Sequence, residues 1–236
     1  MLGLEKINTY YGKSHVLFDV SLHIRQGEIV GLLGRNGVGK TTTLRTIIGL
    51  TPPANGSILF KGQEIAGRKP YQIASSGIGF VPEERCIFPN LTVDQNLIMG
   101  IKPGHYRKSN QNGWTIDQCY DHFPILKDKG QRKGGVLSGG EMQILTIART
   151  LMGNPELIMI DEPTEGLSPI MVAEVGKIIR EIHEAGKTIL LVEQKLPLVL
   201  GLAQRVYVMS KGQIQWEGTP GALRMETAVC KQCLEV

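Results

Sequence analysis

The sequence has no long apolar run: nowhere do hydrophobic residues approach the ~18 consecutive positions of a bilayer-spanning helix, so a span of that kind is excluded. The opening residues, MLGLEKINTYYGK, also lack the apolar segment of a secretory signal, and the chain is expected to stay in the cytoplasm. Charge of one sign is not concentrated either. The formal net charge is +4, with Lys and Arg interleaved among Asp and Glu, which leaves no electrostatic footprint for nucleic acid. Cysteine is scarce, at Cys86, Cys119, Cys230 and Cys233. The last two form a C-x-x-C, but no further ligands at zinc spacing lie near it and no thioredoxin-like strand-to-helix turn precedes it, so reduced structural thiols are expected. Internal repeats and low-complexity tracts are absent. At 236 residues the chain can bury one substantial core, or one core with a small satellite.

What is present begins with GRNGVGKTT, formed by Gly34, Arg35, Asn36, Gly37, Val38, Gly39, Lys40, Thr41 and Thr42. Gly34, Gly39, Lys40 and Thr41 satisfy G-x-x-x-x-G-K-[ST], the pattern of a phosphate-binding loop. Glycines let such a loop wrap closely, so that successive backbone N–H groups face phosphate oxygens. A helix starting near Gly39 adds its free N–H groups and its positive dipole end. Lys40 would reach the β- and γ-phosphates, and the Thr41 hydroxyl would ligate Mg²⁺. An ordinary Gly-rich turn is the plainer alternative, made less apt by the apolar EIVGLL before it and the helical TLRTIIGL after it.

The remaining chain reads as α/β. LGLEKINTYY and VLFDVSLHI are β segments separated by a turn, and NGSILFKGQEI supplies another strand with turn signals at Asn55-Gly56 and Lys61-Gly62. GIGFVP is of the buried-strand type. PELIMIDEP and KTILLVEQ are continuous apolar runs expected of central parallel strands, with a helical spacing over 170–185 between them. From Glu83 to about Leu137 the composition turns polar and Pro/Gly-punctuated, as in an inserted helical subdomain.

LIMIDEP ends an apolar strand in Asp161 and Glu162, placing two carboxylates at a strand's carboxyl end, where ligands bind in open α/β sheets. Asp161 would join the Mg²⁺ shell, and Glu162 would orient or deprotonate the attacking water. A cap or solvated turn is what such a pair usually marks in the absence of a phosphate loop. In LSGGEMQILTIARTLMGNP, Ser138 is a good N-cap before a largely apolar helix.

With LSGGE at Leu137–Glu141, the order of phosphate loop, signature, Asp-Glu strand and switch strand resembles the ATP-binding cassette ATPases over nearly the whole chain. The resemblance implies a P-loop NTPase-type, mostly parallel core sheet with an N-terminal antiparallel β subdomain. It also implies one cassette domain over 1–236, with the helical and signature subdomain at about 84–152. ATP and Mg²⁺ are the implied cofactors. Two cassettes would dimerise head to tail, so that Ser138, Gly139 and Gly140 of one close on the γ-phosphate held by the other's Lys40. Tyr11, or less aptly Tyr10, would stack on adenine.

Three positions depart from the common pattern. Glu83 stands where Gln is usual, and would bring negative charge to the metal site; Ser168 stands for Asp, and Gln194 for the switch histidine. With VPEERCIFPNLTV, these departures resemble the second ATPase of branched-chain amino-acid importers and of related urea and amide importers. That resemblance implies a second ATPase subunit as partner, integral-membrane permease subunits, and indirectly an extracytoplasmic solute-binding protein. The chain would lie peripherally on the cytoplasmic face of the membrane, with CIFP of the segment Arg85 to Val93 offering exposed apolar anchors to the permease, core packing of CIFP being the equal alternative. A soluble cassette outside transport and a nucleotide-responsive regulatory subunit are the alternatives.

Overall fold

The computed structural model describes residues 1–102 and 114–234. Part of the expected helical subdomain, 103–113, lies outside the described residues. Alternation of apolar and polar positions makes β1 (Leu2–Tyr11) and β2 (Ser14–Ile24) a long antiparallel pair with Leu2, Leu4, Ile7 and Thr9 turned inward. The alternation slips at Lys6, whose left-handed φ of 47° sits in a register shift between Leu4 and Ile7 that returns Ile7 to the buried face.

Next come β3 (Ile29–Leu33), α1 (Lys40–Ile47), the hairpin β4 (Asn55–Phe60) and β5 (Gln63–Glu64), α2 (Pro70–Ser76) and β6 (Ile78–Val81). The helical insertion follows, with α3 (Val93–Met99), α4 (Ile116–His122), α5 (Pro124–Lys127) and α6 (Gly139–Met152). Then β7 (Leu157–Asp161), α7 (Pro169–Glu184), β8 (Thr188–Glu193), α8 (Leu196–Leu202), β9 (Arg205–Ser210), β10 (Gln213–Gly218) and α9 (Pro220–Met225) complete the alternation.

Two sheets result. The antiparallel one runs β2-β1-β4-β5; the other runs β10-β9-β3-β8-β7-β6, parallel except for β10. β3, β7 and β8 are buried along their whole length, because the parallel sheet is covered on both faces. Alternate residues divide between two apolar layers. Ile29 and Leu33 join a layer with α6 and α7, whereas Val30 and Leu32 join the β subdomain and α1. The mostly parallel core, the antiparallel β subdomain and the helical insertion are as the sequence implies. β9 and β10 are not anticipated there, and β9 is a full member of the core sheet beside β3.

Register fixes what leaves the sheet together. Leu33 is opposite Glu193, and Asp161 is opposite Val192. The loop after β3, the pair Asp161-Glu162 and the residues after Glu193 therefore emerge side by side at the carboxyl ends of three adjacent strands.

Candidate functional site

The loop after β3 turns tightly into α1. Gly39, the N-cap residue of α1, has φ 111°, and a Cβ there would lie 2.8 Å from Leu17 Cδ2. At Gly34 a Cβ would lie 2.6 Å from the Met209 carbonyl oxygen, so β9 packs directly under the loop. No side chain caps α1, which leaves its first N–H groups to face the cleft in front of it. That cleft, of about 320 Å³, is lined by Val16, Asn36, Gly37, Gly39, Lys40, Thr41, Thr42, Glu83 and Glu162.

Lys40 is buried, at 3 % exposure. Its ammonium donates to the carbonyls of Gly34 (2.8 Å) and Arg35 (2.9 Å) and pairs with Glu162 Oε1 at 3.0 Å. Glu162 itself holds a left-handed φ of 41°, uncommon for a residue with a side chain, while its N–H continues the sheet by donating to Val192 O at 2.9 Å. Its other oxygen, Oε2, accepts from the Gln194 amide at 2.7 Å. Lys40, Glu162 and Gln194 thus form one chain of contacts across three segments distant in sequence.

Asp161 is 1 % exposed and neither carboxylate oxygen has a hydrogen-bond partner. Burial pushes its pKa up to about 6; Thr41 is the neighbour that most favours the ionised form, without reaching hydrogen-bond geometry, and Glu162 and Glu83 add repulsion. A partnerless buried carboxylate beside a threonine hydroxyl suits a small divalent cation. Among the described residues there is no cluster of three or more His, Cys, Asp or Glu that could hold a metal. A cation here therefore needs oxygens from a ligand, as Mg²⁺ does in phosphate sites. Glu83 lines the same cleft but is exposed, and partial burial together with Glu162 raises its pKa.

Sequence reasoning missed Glu193. It is 2 % exposed at the end of β8 and accepts from the Thr164 hydroxyl (2.6 Å) and N–H (3.2 Å) through Oε1, and from the N–H groups of Gln194 (3.1 Å) and Lys195 (3.3 Å) through Oε2. Lys195 donates back to the Thr164 carbonyl at 2.8 Å. The pair clamps the loop after Glu162 to the segment that carries Gln194. A buried-type strand ending in a charge was the available signal in LLVEQ.

Ser138 to Gly140 do not line the cleft. Ser138 caps α6 in a reciprocal box, accepting from Glu141 N–H (3.4 Å) while its own N–H donates to Glu141 Oε2 (2.9 Å). A Cβ on Gly140 would lie 2.6 Å from Met171 of α7. Ser168 caps α7, accepting from Met171 N–H at 3.4 Å, so in the place of Asp it keeps a capping oxygen. Tyr11 also stands outside the cleft, 45 % exposed and accepting from Thr51 at 3.4 Å, whereas Tyr10 is stacked on His15. Among the expected surface anchors, Cys86 and Phe88 are exposed, but Ile87 packs against the main core and is withdrawn from that role. No helix among the described residues is long and apolar enough to cross a membrane, and Cys86, Cys119, Cys230 and Cys233 form no disulfide.

The family model described as "ABC transporter" matches residues 17–165. The chain is 41 % identical over 223 residues to the high-affinity branched-chain amino acid transport ATP-binding protein BraG of Pseudomonas aeruginosa, covering 94 % of each. It is 36 % identical over 220 residues to the lipopolysaccharide export system ATP-binding protein LptB of Haemophilus influenzae, covering 93 % of this chain and 91 % of that one. Among solved structures it is similar to a dimeric ATP-binding cassette in a post-hydrolysis state bound to ADP and Pi, with a TM-score of 0.78 and 26 % identity, covering 93 % of this chain and 99 % of that one.

Proposed function

The chain belongs to the ABC transporter family and is an ABC-type ATP hydrolase; from that premise we propose that it powers the import of branched-chain or other hydrophobic amino acids through a permease on separate chains. The observation that carries the site assignment is the convergence on one cleft of Lys40, Glu162 and Gln194 beside the partnerless Asp161. Lys40 exchanges its two loop carbonyls and Glu162 for the β- and γ-phosphate oxygens, with Asn36, Gly37 and the amides that open α1 cradling the rest. That exchange leaves Glu162 held by Gln194 alone, and its freed oxygen orients the attacking water and takes its proton. Thr41 and Asp161, with Glu83 at the rim, would hold Mg²⁺, which when bound would supply neutralisation of the phosphate charge. Gln194 has no titrating proton but donates an N–H toward the γ-phosphate where a histidine would.

Ser138–Gly140 lie outside the chain's own cleft, which supports their closing on the nucleotide of a second cassette. Tyr11 keeps an exposed ring for adenine. The permease seats on the insertion around Phe88, with Ile98 and Met99 of α3 exposed on the same insertion. Peripheral attachment to the cytoplasmic face of the membrane follows from that contact, and an extracytoplasmic solute-binding protein would deliver the solute.

The amino-acid reading rests on the likeness to BraG. Likeness to LptB keeps export as the second reading, and the departures at Glu83, Ser168 and Gln194 are equally those of urea and amide importers. Uptake of labelled leucine, valine and urea by cells with and without the chain tests this. Loss of leucine and valine uptake alone supports the proposal; loss of urea uptake alone, or unchanged uptake of all three, would overturn it.

A further inference from the structure

The segment after β6 carries Glu83 at the cleft and Phe88 at the surface, and two arginines fasten it. Arg149 of α6 donates to the Cys86 carbonyl and lies over the Phe88 ring, 5.1 Å from its centroid. Arg85, in the left-handed region at φ 49°, reaches the other way. Its Nη2 donates to the Glu165 carbonyl at 2.7 Å, and its Nη1 lies 2.9 Å from where a Cβ on Gly139 would stand. One guanidinium is therefore hydrogen-bonded to the loop that follows Glu162 and lies beside Gly139, the first residue of the signature helix.

Neither of those elements depends on Arg85 for its own shape. α6 is capped by Ser138 and Glu141. The loop is closed by Glu165 N–H to Glu162 O (3.1 Å) and Leu167 N–H to Thr164 O (3.3 Å), and Glu193 and Lys195 clamp it at Thr164. What Arg85 adds is a tie between the two. Glycine at Gly139 leaves the space in which the guanidinium sits.

We infer that Arg85 is a positioning residue that makes the placement of a cassette's signature end depend on the loop after its own Glu162. The inference rests on the reading that two cassettes share each nucleotide site. In that arrangement the loop belongs to the site where the chain hydrolyses ATP, and Ser138–Gly140 belong to the surface it lends to the other cassette. Arg85 links the two sites through one subunit, and occupancy of one is felt at the other as a coupling free energy.

The test uses the full chain with Glu162→Gln, which holds ATP without consuming it, and follows dimer formation by light scattering as Mg-ATP is raised. A fluorescent ATP analogue, titrated at protein concentrations too low for dimers, reports each subunit's own pocket and its folding. Adding Arg85→Gln is expected to raise the ATP needed for half-maximal dimer about 10-fold with monomer affinity unchanged. Arg85→Lys, which keeps one donor but not the planar fork, is expected to recover part of that loss. Dimerisation by the Arg85→Gln chain at the parental ATP concentration overturns the inference and leaves the shared-site reading standing. A Glu162→Gln chain that stays monomeric in ATP overturns that reading, and the inference with it. Loss of monomer affinity on Arg85→Gln also overturns it, since Arg85 would then act within its own pocket.

Discussion

The carboxylates Glu28 and Asp161, at opposite ends of the parallel sheet, are partnered unequally: partly buried Glu28 is paired, and buried Asp161 is not. At the amino ends of β3 and β9, Glu28 pairs with Arg205 through Nε and Nη2, each at 3.0 Å, and accepts from Arg25 N–H at 2.9 Å. Arg205 also reaches Glu217 (2.6 Å), the Tyr207 hydroxyl (2.8 Å) and the His23 carbonyl (2.6 Å). Burial acts to raise the Glu28 pKa, but the Arg205 hydrogen bond and the Arg25 amide outweigh it and hold the group below its ordinary value. At the carboxyl ends, Asp161 is buried without a partner and its pKa is raised, while Glu162 sits in a left-handed backbone conformation. One end meets the requirements of a stable fold; the other holds unmet charge and local strain, as binding and catalytic sites do.

The largest effect that would break this comparison is loss of the charge on Lys40. On the proposed reading Lys40 makes charge-assisted contacts to phosphate whose loss costs about 4 kcal/mol, so Lys40→Ala is expected to weaken Mg-ATP binding roughly 10³-fold. Calorimetric titration checks it. Unchanged affinity would mean that this end is no phosphate site.

Arg205→Ala probes the opposite end, where stability and not turnover should respond. It strands Glu28 in a site where both partners are about 13 and 12 % exposed, at a cost of about 3 kcal/mol. Chemical denaturation should show the loss, and saturated ATP turnover of the folded variant should stay near parental. A variant of parental stability with impaired turnover would invert the assignment of the two ends.

The carboxyl end, where the proposed site lies, was the more legible in sequence, since GRNGVGKTT, LSGGE and LIMIDEP are local strings whose spacing reports a backbone geometry directly. The stabilising end is made of Glu28, Arg205, Glu217 and His23, far apart in the chain, and meets only through strand order, which no local pattern encodes. β9 escaped for the same reason: RVYVMS is a short apolar run, and only its pairing with β3 makes it core. Within the site, Lys40 to Glu162 to Gln194 was readable as three separate motifs but not as one contact chain. Glu193 and Arg85 were missed because their roles lie in carbonyls and N–H groups supplied by other loops.

A somewhat smaller effect is expected at Gln194. Its amide reaches Glu162 at 2.7 Å and can donate toward developing charge, so Gln194→Ala should lower turnover by ~10² while sparing ATP binding. Gln194→His should retain substantial activity, because an imidazole N–H can replace the donor. Steady-state turnover of both variants from about pH 6 to 9, in the assembled complex, checks this. A parental rate in the alanine variant would reduce Gln194 to a strand end.

The smallest effect has the opposite sign, and it sharpens the comparison most. If Asp161 is kept charged for function at the expense of the fold, removing its charge should stabilise the chain when Mg²⁺ is chelated. Its native pKa, about 6, stands above the value near 4 of an unfolded aspartate, so between those limits the folded chain binds more protons than the unfolded one. The contribution of Asp161 to stability therefore grows as pH falls from about 6 to about 4, and it is unfavourable and constant above that window. Glu28, held below its ordinary value, contributes in the other direction: its stabilisation is present above pH ~4.5 and is lost as pH falls through its native pKa. Asp161→Asn removes only the first of these. With an amide still buried in place of the carboxylate, the gain at pH 7 is expected to be about 1 kcal/mol, shrinking toward zero near pH 4. Denaturant midpoints of the parental chain and the variant in EDTA, taken as a difference at each pH, isolate it from Glu28 and every other carboxylate. A variant less stable than the parent at pH 7, or a difference that does not change with pH, would show that the carboxyl end of the sheet carries no such cost.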